Sequence, residues 1–267
     1  MDRSPGESNA VSAPAFLNPA GGVRYHLRAF RYGAKLWQPF RWALGEWLLG
    51  WEPPERTLVL LGPSGGYCLQ PFLFERFERV VCLEPDPVAR FVFQRRLSRA
   101  PLERRPVLEL VAEDHLLEDP ERLLRLLERL GESAVLFSNV LGQLRVLLGV
   151  TEREAPELVR VHAAVARAIE GRSWVSFHDR LSGELRLDFA QPLVADGRLS
   201  DAEVLEHLYA QPGETDPAPL GLTDHLTAGL FPSELPHAYF AWELEPGLFH
   251  AIEAVRAVRA TPEPAST

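Results

Sequence analysis

The chain is poor in features that would tie it to several large classes of protein. Only two cysteines occur in 267 residues, Cys68 and Cys82, each inside an apolar segment. That excludes a disulfide framework and makes a reducing, cytoplasmic setting the expectation. No apolar run approaches the roughly 18 residues that suggest a membrane span, and the opening MDRSPGESNAVSAPAF lacks a charged head followed by an apolar core. Basic residues are outnumbered, 28 Lys plus Arg against 37 Asp plus Glu for a formal charge of −9. Such a field repels polyphosphate, so nucleic acid is not an expected partner. A G-x-x-x-x-G-K-[ST] loop is missing, which removes nucleotide hydrolysis. Histidines 207, 225, 237 and 250 fall in no compact ligand spacing, and no metal is expected. There is no internal repeat.

What is present is an alternation of short apolar runs with helical stretches, the pattern of βαβ units around a parallel sheet. The runs are Thr57 to Leu61, Arg79 to Glu84, Val107 to Ala112, Ala134 to Asn139 and Trp174 to His178. A helix is expected after the first, from about Cys68 to Phe77. Another follows the second, with Asp86 placed to cap it and Pro87 in its first turn. PERLLRLLERL supplies a third. Thr151-Glu-Arg-Glu154 reads as a capping box opening a helix in which Leu158, Val161, Val165 and Ile169 share a face, and Ser200-Asp-Ala-Glu203 as a second box opening a short helix through Tyr209. HAYFAWEL and LFHAIEAVRA, joined by Glu245-Pro246-Gly247, read as an antiparallel hairpin. The expected fold is therefore α/β: a doubly wound, mostly parallel seven-stranded sheet with a C-terminal antiparallel hairpin and an N-terminal helical extension. Residues 1–22 and 259–267 read as disordered tails, being rich in Ser, Pro, Ala and Gly. Residues 53–258 form the main domain, with an insertion at about 180–235 expected to shape the substrate region.

Residues 23–52 form an aromatic-rich, basic helix or helix pair, in which Phe30, Trp37, Phe40, Leu44, Trp47 and Leu48 recur at helical steps. The stretch Trp37, Trp42, Trp47, Trp51 suits either a lid or membrane-interfacial helix, or simple packing across the sheet. Its aromatics are not confined to one narrow face, so packing is expected and a membrane surface is not.

In a doubly wound sheet the ligand lies beyond the carboxyl ends of the strands, normally after the first. Here that place is Gly62-Pro63-Ser64-Gly65-Gly66, where side chains would block backbone approach to a ligand. A carboxylate about 20 residues on, at the end of the second strand, accepts hydrogen bonds from ribose hydroxyls. Glu84 has that position, with Pro85 beside it, and Glu113-Asp114 ends the third strand. Gly-Pro-Ser-Gly-Gly does not match the G-x-G-x-x-G that brings a pyrophosphate close, so a phosphate-free nucleoside ligand is favoured.

On LVLLGPSGG, CLEPDP, VAEDH, LFSNVLG and the terminal hairpin, the chain resembles the class I S-adenosylmethionine-dependent methyltransferases over roughly Thr57 to Ala257. The resemblance implies S-adenosylmethionine as cofactor and a small-molecule or protein acceptor. It places Gly62, Ser64 and Gly65 along the methionine and ribose, Glu84 on the ribose hydroxyls, Asp114 on the adenine and Asn139 at the reacting centre. The chain departs from the family at Leu60, where an acidic residue usually stands, and at Ser64, the usual middle glycine. An ammonium partner is thus missing from its usual place, which keeps open a non-catalytic, scaffolding relative. Methyl transfer needs mainly alignment. If a base takes part, His178 and Asp179 at the end of the fifth strand are the candidates; the competing reading makes them part of a local turn.

Overall fold

The structure, a computed structural model, describes residues 22–189 and 191–259. The tails expected at 1–22 and 259–267 lie outside the described residues except at their inner ends, and those ends are ordered. Gly22 opens α1 (Gly22–Tyr32), and the Arg259 backbone N–H donates to Ser173 Oγ at 3.0 Å.

The five apolar runs form β1 (Thr57–Leu61), β2 (Arg79–Leu83), β3 (Val107–Val111), β4 (Ala134–Ser138) and β5 (Trp174–Gly183). They pair in parallel in the order β3-β2-β1-β4-β5. The chain winds outward from β1 through β2 to β3, then returns to the other side of β1 for β4 and β5. The winding therefore reverses between β1 and β4, where such sheets open a crevice at their carboxyl ends. Beyond β5, β9 (Leu248–Ala257) and β8 (His237–Glu245) continue the sheet antiparallel.

The described residues hold nine strands, not seven. β5 is ten residues long, and β7 (Thr223–Asp224) pairs with it at Leu181 and Ser182. β6 (Leu193–Ala195) pairs with β8 and covers that edge. Both extra strands come from the segment between β5 and β8, which also carries α7 (Asp201–Tyr209) behind the Ser200–Glu203 capping box.

The parallel strands alternate with α3 (Pro87–Arg99), α4 (Glu121–Leu130), α5 (Leu144–Leu148) and α6 (Pro156–Ile169). Asp86 caps α3 through Val88 N at 2.8 Å, with Pro87 in the first turn. Two expected helix starts are corrected. The segment Cys68 to Phe77 contains only a 3-10 turn, Pro71–Arg76. Pro71 forces the preceding residue out of helical backbone, and Gln70 is extended at φ −82°, ψ 130°. For the same reason Ala155, before Pro156, is extended at ψ 127°, so α6 starts at the proline and Thr151 does not cap it.

α1 and α2 (Gln38–Leu49) cover one face of the sheet. Trp37, Phe40, Leu44, Leu48 and Trp51 are buried there, and the Phe40 ring stacks on Trp242 at 5.0 Å. Trp37 Nε1 donates to Leu244 O and Trp51 Nε1 to Ala257 O, so two indoles pin the extension to β8 and to the end of β9. Phe30 departs from the expected apolar stripe: it is 91% exposed. It follows the buried Ala29 and is turned about 100° around the helix from it. α4 and α6 cover the opposite face through Leu123, Leu127, Leu158, Val161 and Val165. Among the described residues no helix is long and apolar enough to cross a membrane.

If α2 is part of the core, Leu44→Ala will lower unfolding free energy by about 3 kcal/mol in a urea titration, the usual loss for a fully buried leucine. A change below about 1 kcal/mol would show that the extension is a detachable appendage.

Candidate functional site

The glycine loop leaves β1 at the point where the winding reverses. Gly62 has φ +61°, and a Cβ there would lie 2.7 Å from Val140 Cβ; the loop after β1 is thus pressed against the loop after β4. Ser64 keeps left-handed backbone at φ 51°. That conformation is strained for a residue with a side chain. It turns the Ser64 N–H onto Glu84 Oε2 at 2.8 Å, while Glu84 Oε1 accepts from Asp86 N at 3.1 Å.

Glu84 is thus folded beneath the loop, 7% exposed, with both oxygens aimed at backbone donors. Burial, only partly offset by those two hydrogen bonds, raises its pKa to about 7. Pro85 is exposed and serves as the turn out of β2. Asp114 spends Oδ1 on the N–H groups of Leu116 and Leu117, at 2.8 and 2.7 Å, and is half-buried at the end of β3.

At the carboxyl ends of β4 and β5 the structure brings Asn139 and Asp179 together. Asn139 Nδ2 donates to Asp179 Oδ2 at 3.1 Å, and Asp179 N donates to Asn139 Oδ1 at 2.8 Å. Gly142 makes this closeness possible, since a Cβ there would lie 2.5 Å from Asp179 N. Gln143 Nε2 also donates to Asp179 Oδ2, at 2.7 Å, and His250 Nδ1 lies 2.8 Å from Oδ1. Asp179 is wholly buried; burial alone would raise its pKa, but His250 beside it outweighs that and the group stays well below the usual carboxylate range.

His178 is not part of this group. Alternation along β5 puts it on the other face, opposite Glu253 of β9 and beside the Phe231 ring. Burial pushes its pKa down to about 4, and its Nε2 has no hydrogen-bond partner among the described residues. A neutral imidazole turned away from Asn139 and Gly62 is not placed to act as base there.

Gln143, His225 and His250 were missed by sequence reasoning. They lie 36 to 71 residues from their partners, Asp179 and Ser182. Cys68 is buried, and burial raises its thiol to about 11.

α1 closes the crevice from the other side. His26 Nδ1 bonds the Tyr67 hydroxyl at 2.7 Å and its Nε2 lies 3.3 Å from Asp86 Oδ2. Tyr25 reaches Cys68 Sγ at 3.6 Å and stacks on Trp37 at 5.5 Å. Separately, a cleft of about 400 Å³ opens between α5 and the segment preceding β8, lined by Arg145, Arg153, Asp201, Asp216 and Asp224.

The chain matches no protein-family profile and no curated protein sequence. Among solved structures it is similar to the N-methyltransferase NodS of Bradyrhizobium japonicum in complex with S-adenosyl-L-homocysteine: 13% identity, 90% of this chain and 99% of that one, TM-score 0.44. It is also similar to a SAM-dependent methyltransferase from Anabaena variabilis, at 14% identity over 87% and 93% of the two chains, TM-score 0.41. A SAM-dependent methyltransferase from Aquifex aeolicus aligns at 9% identity over 87% and 97%, TM-score 0.39. The class of fold is read from the strand order itself: a switch-point parallel sheet extended by an antiparallel pair is the arrangement implied by the resemblance to class I methyltransferases.

A Glu84 held near pKa 7 against about 4.5 in the unfolded chain favours the folded state most at low pH, and that contribution is lost as pH rises through 7. The difference in unfolding free energy between wild type and Glu84→Gln is expected to fall by about 2 kcal/mol from about pH 5 to about pH 8. A pH-independent difference would mean that Glu84 titrates normally.

Proposed function

We propose that the chain binds S-adenosylmethionine across the crevice between β1 and β4 and transfers its methyl group to a small-molecule or protein acceptor. The observation that carries this reading is the Glu84 carboxylate, folded under a glycine loop at the place where the winding reverses. Each Glu84 oxygen keeps a lone pair beyond its backbone bond, which suits a vicinal ribose diol.

The lack of an α-helix after the loop supports a ligand without phosphate. A pyrophosphate needs the free N–H groups and positive end of a helix there, and the chain offers a 3-10 turn starting five residues after the last loop glycine, with the Glu84 carboxylate against the loop itself. In this reading Gly62 to Gly66 line the methionine and ribose, Asp114 keeps Oδ2 for the adenine amino group, and Asn139 faces the transferred methyl. The chain's contribution to the reaction is alignment in a water-poor site. Asp179 holds Asn139 in place, and the segment from β7 to Leu226, which lines the 400 Å³ cleft and carries His225, supplies the acceptor side.

Calorimetric titration with S-adenosylmethionine and S-adenosylhomocysteine tests this. Wild type is expected to bind, and Glu84→Ala to bind about tenfold or more weakly, the loss of about 1.4 kcal/mol. Because the ionised carboxylate is the better acceptor for two hydroxyls, wild-type affinity is also expected to fall as pH drops below about 7. Absence of heat from both ligands would overturn the reading and favour a scaffolding role.

A further inference from the structure

Asp179 is balanced by one imidazole, His250, and by neutral hydrogen-bond donors rather than by a fixed cation. It is a carboxylate with 0% exposure, and buried charges in proteins are paired or coordinate metals. Its neighbour Arg180 does not pair with it. Arg180 is the extra residue at the irregularity in the β5–β9 ladder, and its guanidinium meets Asp201, Asp224 and Glu253 instead. Among the described residues no Arg or Lys pairs with Asp179. The groups facing it are two neutral amides, Asn139 and Gln143, and two imidazoles, His225 and His250.

We infer that Asp179, His225 and His250 form a binding site for one divalent transition-metal ion. Three observations carry the inference. First, one donor atom from each of the three lies within 4.8 Å of the others, and all three residues are buried. Second, His250 Nδ1 and Asp179 Oδ1 are 2.8 Å apart. Two ligands at about 2.1 Å from an ion and roughly at right angles to one another stand about 3 Å apart. The ion thus takes the place of the proton these atoms share, and binding releases that proton.

Third, the outer partners that aim metal ligands are in place. His225 Nδ1 lies 2.7 Å from Gly142 O, which fixes the proton on Nδ1 and leaves Nε2 with a lone pair toward Ser182 Oγ, 2.8 Å away. Asp179 Oδ2 is held by Asn139 and Gln143, leaving Oδ1 to the ion. His225 and His250 stand with ring centroids 6.1 Å apart, and His250, 8% exposed, connects the group to solvent.

Two imidazoles and one carboxylate suit zinc, iron or cobalt over magnesium or calcium, which take oxygen ligands. The three donors leave coordination positions for an exogenous ligand. Asp179 and His225 also have places in the methyl-transfer reading, but the metal donors are distinct from Glu84 and the glycine loop, so metal binding is tested apart from cofactor binding.

The test uses metal alone, without cofactor or acceptor. Metal-depleted full-length protein is titrated with Co²⁺, read by its visible ligand-field bands, and with Zn²⁺ against a chromophoric chelator. The expected result is one ion per chain with nitrogen ligation. His225→Gln and His250→Gln should each weaken binding by at least the roughly hundredfold that even an outer partner can be worth. His178→Gln, on the opposite face of the sheet, should bind as wild type does. Failure of wild type to bind one equivalent, or unchanged affinity in both imidazole variants, overturns the inference. Should those variants not fold, the wild-type stoichiometry and spectrum decide alone. Because S-adenosylmethionine titration is a separate measurement, either proposal can fail without the other.

Discussion

From Trp174 to Gly183 β5 pairs antiparallel with β9, and on its other side it pairs parallel with β4 over Trp174 to Phe177 and with β7 at Leu181 and Ser182; the rest of the molecule is organised around that ladder. It joins the parallel half of the sheet to the antiparallel end. It also carries the irregularity between Asp179 and Leu181, where one extra residue is inserted. A bulge of this kind re-aims side chains, and here it shifts the alternation after Arg180, so that Leu181 pairs with Ala251 and Ser182 with His250. Asp179 goes to the face covered by α1 and α2, where it meets Asn139, Gln143 and His250. Arg180 goes to the other, where Asp201, Asp224 and Glu253 receive it. Without the insertion, strict alternation would carry Leu181 and Ser182 to the wrong sides, and both the apolar contacts under α7 and the Ser182–His225 contact would be lost.

Burying these charges costs several kcal/mol per ion before any pairing. The two faces meet that cost differently. Arg180 is answered by three carboxylates on three elements, and Glu253 is bonded in turn by His237 Nδ1 at 2.6 Å. This cluster ties the segment preceding β8 to the sheet. The Asp179 cluster uses neutral amides and imidazoles, and its members converge on the carboxyl ends of β4 and β5, beside the crevice. One buried cluster is thus built on guanidinium–carboxylate pairs and the other on a single carboxylate–imidazole pair with neutral amides, and the second lies where the sheet topology puts ligands.

The strands were legible because each is a short apolar run bounded by proline, glycine or charge, and β1 and β9 coincide with their sequence ranges. The glycine loop and Glu84 were legible because their spacing is set by one strand–helix–strand passage. Local backbone chemistry misled where a pattern outvoted a single residue: Pro71 removed the helix expected from Cys68 to Phe77, and Pro156 moved the start of α6. The Asn139–Asp179–His250 group was only partly legible. Asn139 and Asp179 mark strand ends, but His250 sits mid-strand in an apolar run. Only the pairing of Ser182 with His250 across the β5–β9 ladder brings its ring to Asp179. No spacing rule in one strand reports the register of another.

The two N-terminal helices look alike in sequence and are held very differently. α2 buries Phe40, Leu44 and Leu48, each contributing roughly 2 kcal/mol or more of apolar burial. α1 buries only Gly22 and Ala29. It is held by the Arg28–Glu245 pair, about a third exposed on each side and so worth about 1 kcal/mol at most, by the hydrogen bonds of His26 to Tyr67 and Asp86, and by the Tyr25 ring against Trp37 and Trp242. Yet α1 is the element whose side chains meet the glycine-loop side of the crevice, through Tyr25 and His26. α1 meets the loop side at the same Asp86 whose side chain faces His26 and whose backbone N–H donates to Glu84 Oε1. A ligand that draws on the Glu84 carboxylate therefore meets a corner that also helps to hold α1.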